Sequence, residues 1–233
     1  MRAIILAAGM GLRLRPLTDD KPKALVETAG ESFFSRQLRL LHAIGVREIC
    51  VVTGYKAEAF APWIGQPGLD FVYNERYHDR NNLFSMLLVR ERLAGSLVLE
   101  GDVWISESIL PTEAPRNSTY FVGYRDGMNN EWAVRTDEND RLVDIVVRSG
   151  DDWILSGISY WNEADGKRLA GLIAEASTAR GSENLFWDDI PRRNLESFDI
   201  RVRRIGSDDW AEIDNLEDRV KLEASLARSP SRL

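Results

Sequence analysis

RAIILAAGMGLRLRPLTDDKPKAL, residues 2–25, joins an unbroken apolar run to a polar loop with two glycines. The run RAIILAAG, residues 2–9, has strand length and does not alternate, the pattern of a parallel strand buried on both faces. A loop at the carboxyl end of such a strand stands where open α/β sheets bind ligands. Gly9 and Gly11 remove side chains where backbone N–H groups can approach phosphate oxygens, while Arg13 and Lys23 supply charge beside them. Two common phosphate motifs do not fit. A dinucleotide fingerprint needs a third glycine where this chain has Leu14, and a Walker A loop needs Gly-Lys-Ser/Thr.

Outward from this stretch, strand and helix patterns alternate. FFSRQLRLLHAI, residues 33–44, places Phe34, Leu38 and Leu41 on one helical face, with Gly45 as a stop. EICVVTG (48–54), a short helix over 56–64, LDFVYN (69–74), an amphipathic helix over 82–93 and LVLEGDVWI (97–105) follow. Four β-rich stretches come next, at 118–124, 131–135, 141–148 and 153–161, then helices near 162–178 and 183–194. FDIRVRRI, residues 198–205, alternates as a half-buried strand does, and a closing helix begins after Asn215. Without repeat or linker, the order predicts one domain over 1–233. The expected fold is a three-layer α/β/α sandwich around a mostly parallel, mixed sheet.

Composition narrows the function classes. At 44% hydrophobic and 29% charged, the 233 residues are those of a folded globular chain. One cysteine, Cys50, excludes a disulfide framework within the chain, and with only His42 and His78 beside it there is no structural zinc set. No apolar stretch is long enough for a membrane helix and no secretory signal opens the chain, so a cytoplasmic setting is expected. The net charge of −7 argues against a nucleic-acid partner. Against that acidic background, residues 1–25 carry Arg2, Arg13, Arg15, Lys21 and Lys23 with only Asp19 and Asp20, which suits a small anionic ligand.

Two aspartates far apart, Asp102 in LEGD and Asp214 in AEID, fall at or just past predicted strand ends. Each alone reads as a turn or cap residue. Together they could hold magnesium, which takes one or two protein carboxylates and fills its shell with phosphate oxygens and water.

The loop with Gly9, Gly11, Arg13-Leu14, Pro16-Leu17-Thr18 and Pro22-Lys23-Ala24-Leu25 resembles the signature loop of nucleotidyltransferases that join a nucleoside triphosphate to a phosphorylated small molecule. NNEW (129–132), ILSGISYW (154–161) and NLFWDD (184–189) are similar to segments of the bacterial CTP:phosphocholine cytidylyltransferases. So are RYHDRNNLFSMLLVRERL (76–93), STYFVGYR (118–125) and AEIDNLEDRVKLE (211–223). The resemblance implies a CTP-binding half over about 1–110, an acceptor-binding half over about 111–214, and a helix and tail over 215–233. It implies catalytic roles for Arg13, on the β and γ phosphates, and Lys23, on the α phosphate. Asp102 and Asp214 become ligands of Mg²⁺. Gly9 and Gly11 shape the phosphate loop, the backbone of Leu6, Ala7 and Ala8 meets the base, and Asn82 and Ser85 lie near cytosine and ribose. Glu131, Trp132, Phe186, Trp187 and Asp188 surround the choline, with Phe186 where these enzymes more usually carry tyrosine.

Residue types support that last set independently. A trimethylammonium group has no N–H to donate, so aromatic faces and a nearby carboxylate must bind it. Trp132 and Trp187 stand beside Glu131 and Asp188, whereas Trp153 and Trp161 read as core. The expected reaction is CTP plus phosphocholine giving CDP-choline and pyrophosphate, with no general base. Phosphoethanolamine, 2-aminoethylphosphonate or a sugar 1-phosphate are alternative acceptors. A non-catalytic nucleotide-binding subunit is the alternative of another class, although such a chain would be expected to have lost Lys23 or a metal aspartate.

Overall fold

The computed structural model describes residues 1–228. Strand β1 (Arg2–Ala7) is followed by a tiny hairpin, β2 (Glu27–Thr28) with β3 (Glu31–Ser32), then α1 (Phe33–Ala43), β4 (Ile49–Thr53), β5 (Leu69–Tyr73) and α2 (Asn82–Val89). Next come β6 (Ser96–Glu100), β7 (Val103–Ile105), β8 (Thr119–Thr136) and β9 (Leu142–Trp161). The chain closes with α3 (Glu163–Ser177), α4 (Asp189–Arg192), β10 (Arg201–Ile205), β11 (Trp210–Glu212) and α5 (Leu216–Arg228). Residues 229–233, the end of the expected tail, lie outside the described residues.

Seven strands form the central sheet in the order β10-β8-β9-β6-β1-β4-β5. β1 pairs parallel with β4 and β6, and β4 with β5, while β9 is antiparallel to both β6 and β8. The apolar run of β1 is unbroken because both its faces are covered. Ala3, Ile5 and Ala7 pack with Phe34, Leu38 and Leu41 of α1. Ile4 and Leu6, with Ala8 just beyond the strand, pack on the other side with Leu83, Met86 and Val89 of α2 and Leu169 and Ile173 of α3. This is the expected three-layer sandwich. No described helix is long and apolar enough to cross a membrane.

Three local expectations are corrected. The stretch 97–105 is two strands, because β6 stops at Glu100 and β7 leaves the sheet to pair antiparallel with β11. Gly101 makes the break possible: its N–H bonds the Leu6 carbonyl at 2.9 Å, and a Cβ there would stand 2.8 Å from that same oxygen. The four β-rich stretches of the second half are two long strands. Their polar middles keep pairing through β-bulges near 125–131, which bend the hairpin so sharply that Ala133 stands opposite both Val146 and Ile154. The tip returns to β10, where the Asp140 carbonyl takes the N–H of Val202. Finally, 183–194 is not a helix but a 3₁₀ turn (Ser182–Asn184) and the single turn α4. Its amides are used elsewhere: Phe186 N–H bonds the Asp189 carboxylate and Trp187 N–H bonds the Asn82 side chain.

Candidate active site

The β7–β11 ladder assembles the centre. It sets Glu212 opposite Val103, and one step further the Ile213 N–H reaches the Asp102 carbonyl at 3.3 Å. Residues 112 apart in sequence, Asp102 and Asp214, thereby share one end of a two-stranded ribbon. Helix α1 clamps the turn: buried Gln37 donates to the carbonyls of Glu100 (2.8 Å) and Val103 (2.9 Å), and Arg36 to that of Ile105 (2.6 Å). Beneath lies a small core of Leu14, Val26, Trp104 and Ile213 with Leu222 and Leu226, so α5 supports the glycine loop from below.

Within that loop Gly11 adopts φ +58°, and a Cβ there would meet Lys23 Cβ at 3.0 Å. The Thr18 hydroxyl donates to the Gly11 carbonyl at 2.9 Å and Tyr55 to the Thr18 carbonyl at 2.9 Å, tying the loop to the sheet. Lys23 is consequently held inward. Its ammonium bridges Asp102 Oδ2 at 2.7 Å and Asp214 Oδ1 at 2.8 Å, and Arg13 reaches the same Asp214 oxygen at 2.9 Å. Burial works to lower the Lys23 pKa, but the two aspartates outweigh it and hold the ammonium charged. For Asp214, burial pushes upward and loses to Lys23, Arg13 and Arg125, which keep it below the ordinary carboxylate range.

Two cavities meet here. One of about 110 Å³ is lined by Leu6, Ala7, Ala8, Gly9, Lys23 and Ser85. The other, of about 360 Å³, is lined by Arg13, Glu131, Trp132, Phe186, Asp188, Glu212 and Asp214. Asn82, Glu100 and Asp102 line both. Bending of the β8–β9 hairpin delivers Glu131 and Trp132 to the larger cavity, and the short turns around 182–192 deliver Phe186 and Asp188. The Trp132 and Phe186 rings meet edge to face, 5.9 Å between centroids.

Trp187 stands elsewhere than expected: it is 2% exposed and packs on Trp161 beneath the larger cavity. It supports the wall from behind, its amide on Asn82 (2.9 Å) and its indole N–H on Glu100 (3.3 Å). Gly11 lines neither cavity and acts through the loop. Residues that sequence reasoning missed are Glu100, Glu212, Tyr120 and Arg125. The signal for the first two is a shared spacing, since LEGD and AEID each carry Glu two residues before Asp102 or Asp214. Carboxylate oxygens of Asp102, Glu212 and Asp214 all lie within 4.8 Å of one another.

The larger cavity is acidic beyond what its own cations neutralise. Burial, then Asp102 and Asp214, push Glu212 up to about 8 against the pull of Lys23 and Arg125. Glu100 is raised by burial and by Asp102, Asp188 and Glu212. Burial pushes Asp188 up to about 7, opposed by a 2.5 Å hydrogen bond from Tyr120 and aided by Asp189. A carboxyl raised in the folded state binds its proton more tightly there than in the unfolded chain. Its contribution therefore favours folding in acid and is lost as pH climbs from about 4 through about 7. Asp188→Asn is accordingly expected to raise stability at pH 8 by about 1–2 kcal/mol, discounted because the carboxyl opens onto the cavity, and to leave it unchanged at pH 4. Thermal melts at the two pH values check this; an equal shift at both would locate the effect outside the ionisation of Asp188.

Comparison with known proteins agrees with this geometry. Residues 3–111 match the model of the MobA-like NTP transferase domain. Over 97% of its length the chain is 35% identical to the choline-phosphate cytidylyltransferase of Streptococcus pneumoniae, covering 98% of that protein. A solved structure of the CTP:phosphocholine cytidylyltransferase from that organism superposes with a TM-score of 0.92, covering 97% of this chain and 98% of the other. The 2-aminoethylphosphonate cytidylyltransferase of Lancefieldella rimae is 31% identical over 93% of this chain and 89% of its own.

Proposed function

Because this chain belongs to the choline-phosphate cytidylyltransferase family of nucleotidyltransferases, we propose that it transfers CMP from CTP to phosphocholine, releasing pyrophosphate and CDP-choline. The observation that carries the reading is the seam between the two cavities, where Lys23, Asp102 and Asp214 meet. One side is built of backbone and glycine loop, as a triphosphate requires. The other has two aromatic rings among carboxylates, as a cation without N–H donors requires. Residues 1–110 thus serve chiefly CTP and 111–214 the acceptor, with the helix over 216–228 as support.

The chemistry needs little from the protein beyond position and charge. A phosphomonoester has its second pKa near 6, so its oxygen attacks the α-phosphorus without losing a proton to a base. Among the described residues, neither His42 nor His78 lines either cavity. What opposes the reaction is the approach of two anions, and Lys23 and Arg13 neutralise them at the seam. Asn82 and Ser85 border the nucleoside. Trp132 and Phe186 offer ring faces to the trimethylammonium group, and Glu131 and Asp188 offer counter-charge.

Asp102 and Asp214, with Glu212 beside them, would hold Mg²⁺. The donor set fits: three hard carboxylate oxygens lie within 4.8 Å, and a protein ammonium already finds a cation's place between two of them. Bound there, the ion would supply charge neutralisation at the α-phosphate.

A second reading shares the chemistry and changes the acceptor. Glu100, Glu131, Asp188 and Glu212 around one cavity could accept the N–H bonds of a primary ammonium, and the similarity to the Lancefieldella rimae enzyme favours 2-aminoethylphosphonate. Pyrophosphate release decides, measured with each nucleoside triphosphate and Mg²⁺ against phosphocholine, phosphoethanolamine, 2-aminoethylphosphonate and sugar 1-phosphates. CTP with phosphocholine is expected to give the highest kcat/KM. A higher value for the phosphonate would replace the acceptor, and no release with any pair would make the protein a non-catalytic nucleotide-binding subunit.

A further inference from the structure

We propose that Lys23 closes the divalent-cation site of the nucleotide-free protein, so that the ion gains its ligands only when a triphosphate draws Lys23 away. The inference rests on the assignment of Asp102 and Asp214 as metal ligands and concerns what guards them.

Geometry carries it. The Lys23 ammonium sits between the two aspartates, on Asp102 Oδ2 at 2.7 Å and Asp214 Oδ1 at 2.8 Å, the place from which a cation would reach both carboxylates. Magnesium binds oxygen at about 2.0–2.1 Å. An ion bonded to both atoms would therefore press against the lysine nitrogen with no water between the two positive charges. Arg13 takes the remaining approach to Asp214 Oδ1 at 2.9 Å. Lys23 is enclosed at this place, its side chain 12% exposed and its Cβ against Gly11, so few nucleotide-free molecules have it withdrawn.

Charge balances in the exchange. In the free protein the two aspartates are matched by two single positive charges, from Lys23 and Arg13. When a triphosphate enters the neighbouring cavity, those cations acquire phosphate oxygens as partners, and one doubly charged ion replaces them on the carboxylates. Each carboxylate has a cationic partner before and after, and the triphosphate takes Lys23 and Arg13 as partial counter-charge, so neither half of the swap leaves a buried carboxylate alone. Nucleotide and metal consequently load together, and the ion by itself binds poorly because only a small fraction of molecules has the lysine withdrawn.

The test uses Mn²⁺ alone, with the full chain and no nucleotide, reading free Mn²⁺ by electron paramagnetic resonance. Wild type is expected to bind only at millimolar metal. Lys23→Met is expected to bind at least about tenfold more tightly, by the fraction of closed molecules it removes. The double variant Lys23→Met/Asp102→Asn should lose that gain, which locates it at these carboxylates. Two results would overturn the proposal: micromolar Mn²⁺ binding by nucleotide-free wild type, or a Lys23→Met protein that binds no better than wild type. The wild-type measurement decides even if the variant fails to fold. Because the readout is ion binding, it stands or falls separately from the acceptor panel, which tests the reaction.

Discussion

Asp214→Asn is expected to lower turnover on the order of 10²- to 10³-fold at saturating CTP, phosphocholine and Mg²⁺, with Asp102→Asn doing the same. The magnitude follows from what must be neutralised. Two unit charges 4 Å apart at an effective dielectric near 20 repel by about 4 kcal/mol, roughly three decades in rate. Either asparagine keeps the shape of the side chain and loses the charge proposed to hold the ion. The fold should survive, since Lys23 bridges both aspartates and retains one after either change. Turnover and a thermal melt on the same preparation separate the two effects. Near-wild-type turnover in either variant would remove that carboxylate from the metal site.

Trp132→Ala is expected to raise the KM for phosphocholine about 5- to 12-fold, from the loss of ~1–1.5 kcal/mol of cation–π contact in a pocket partly open to solvent. Its neighbours define what is lost. The ring meets Phe186 edge to face, so truncation also frees Phe186, which is 44% exposed already. Arg192 stacks on Trp132 with its guanidinium carbon 5.3 Å from the ring centroid, which shows that this ring takes a positive charge on its face. The KM for CTP should hardly change, because Trp132 does not line the smaller cavity. Initial rates with each substrate varied in turn give both constants. An effect confined to CTP would mean that the aromatic wall serves another group.

Much of this centre could be read in the sequence because its signals are local. Strand β1 announces itself by continuous burial, and the loop after it by glycines and cations within a few residues of each other. Asp102 and Asp214 were legible as strand-end carboxylates, but the ladder that joins them was not. β7 and β11 have three residues each, too few for a period to emerge. The bent β8–β9 hairpin escaped for a related reason: its middle is held by backbone pairing among polar side chains, which leaves no hydrophobic alternation. Trp187 shows the opposite limit. A tryptophan next to an aspartate is consistent with wall or support, and only the path of the 185–188 backbone, pinned by Asn82, turns its ring inward. Tyr120 and Glu100 were hidden because partners 68 and 87 residues away give them their meaning.

The β7–β11 ribbon also sets when the centre comes into being. During synthesis the glycine loop, Lys23 and Asp102 emerge from the ribosome long before Asp214, and α5 follows Asp214 in the chain. Until that late segment threads back beside β7, a growing polypeptide has only half of its carboxylate pair and an unsupported loop. Nascent chains should therefore be unable to consume nucleotide until β11 and α5 have been made, and competence should arrive in a single step at that point.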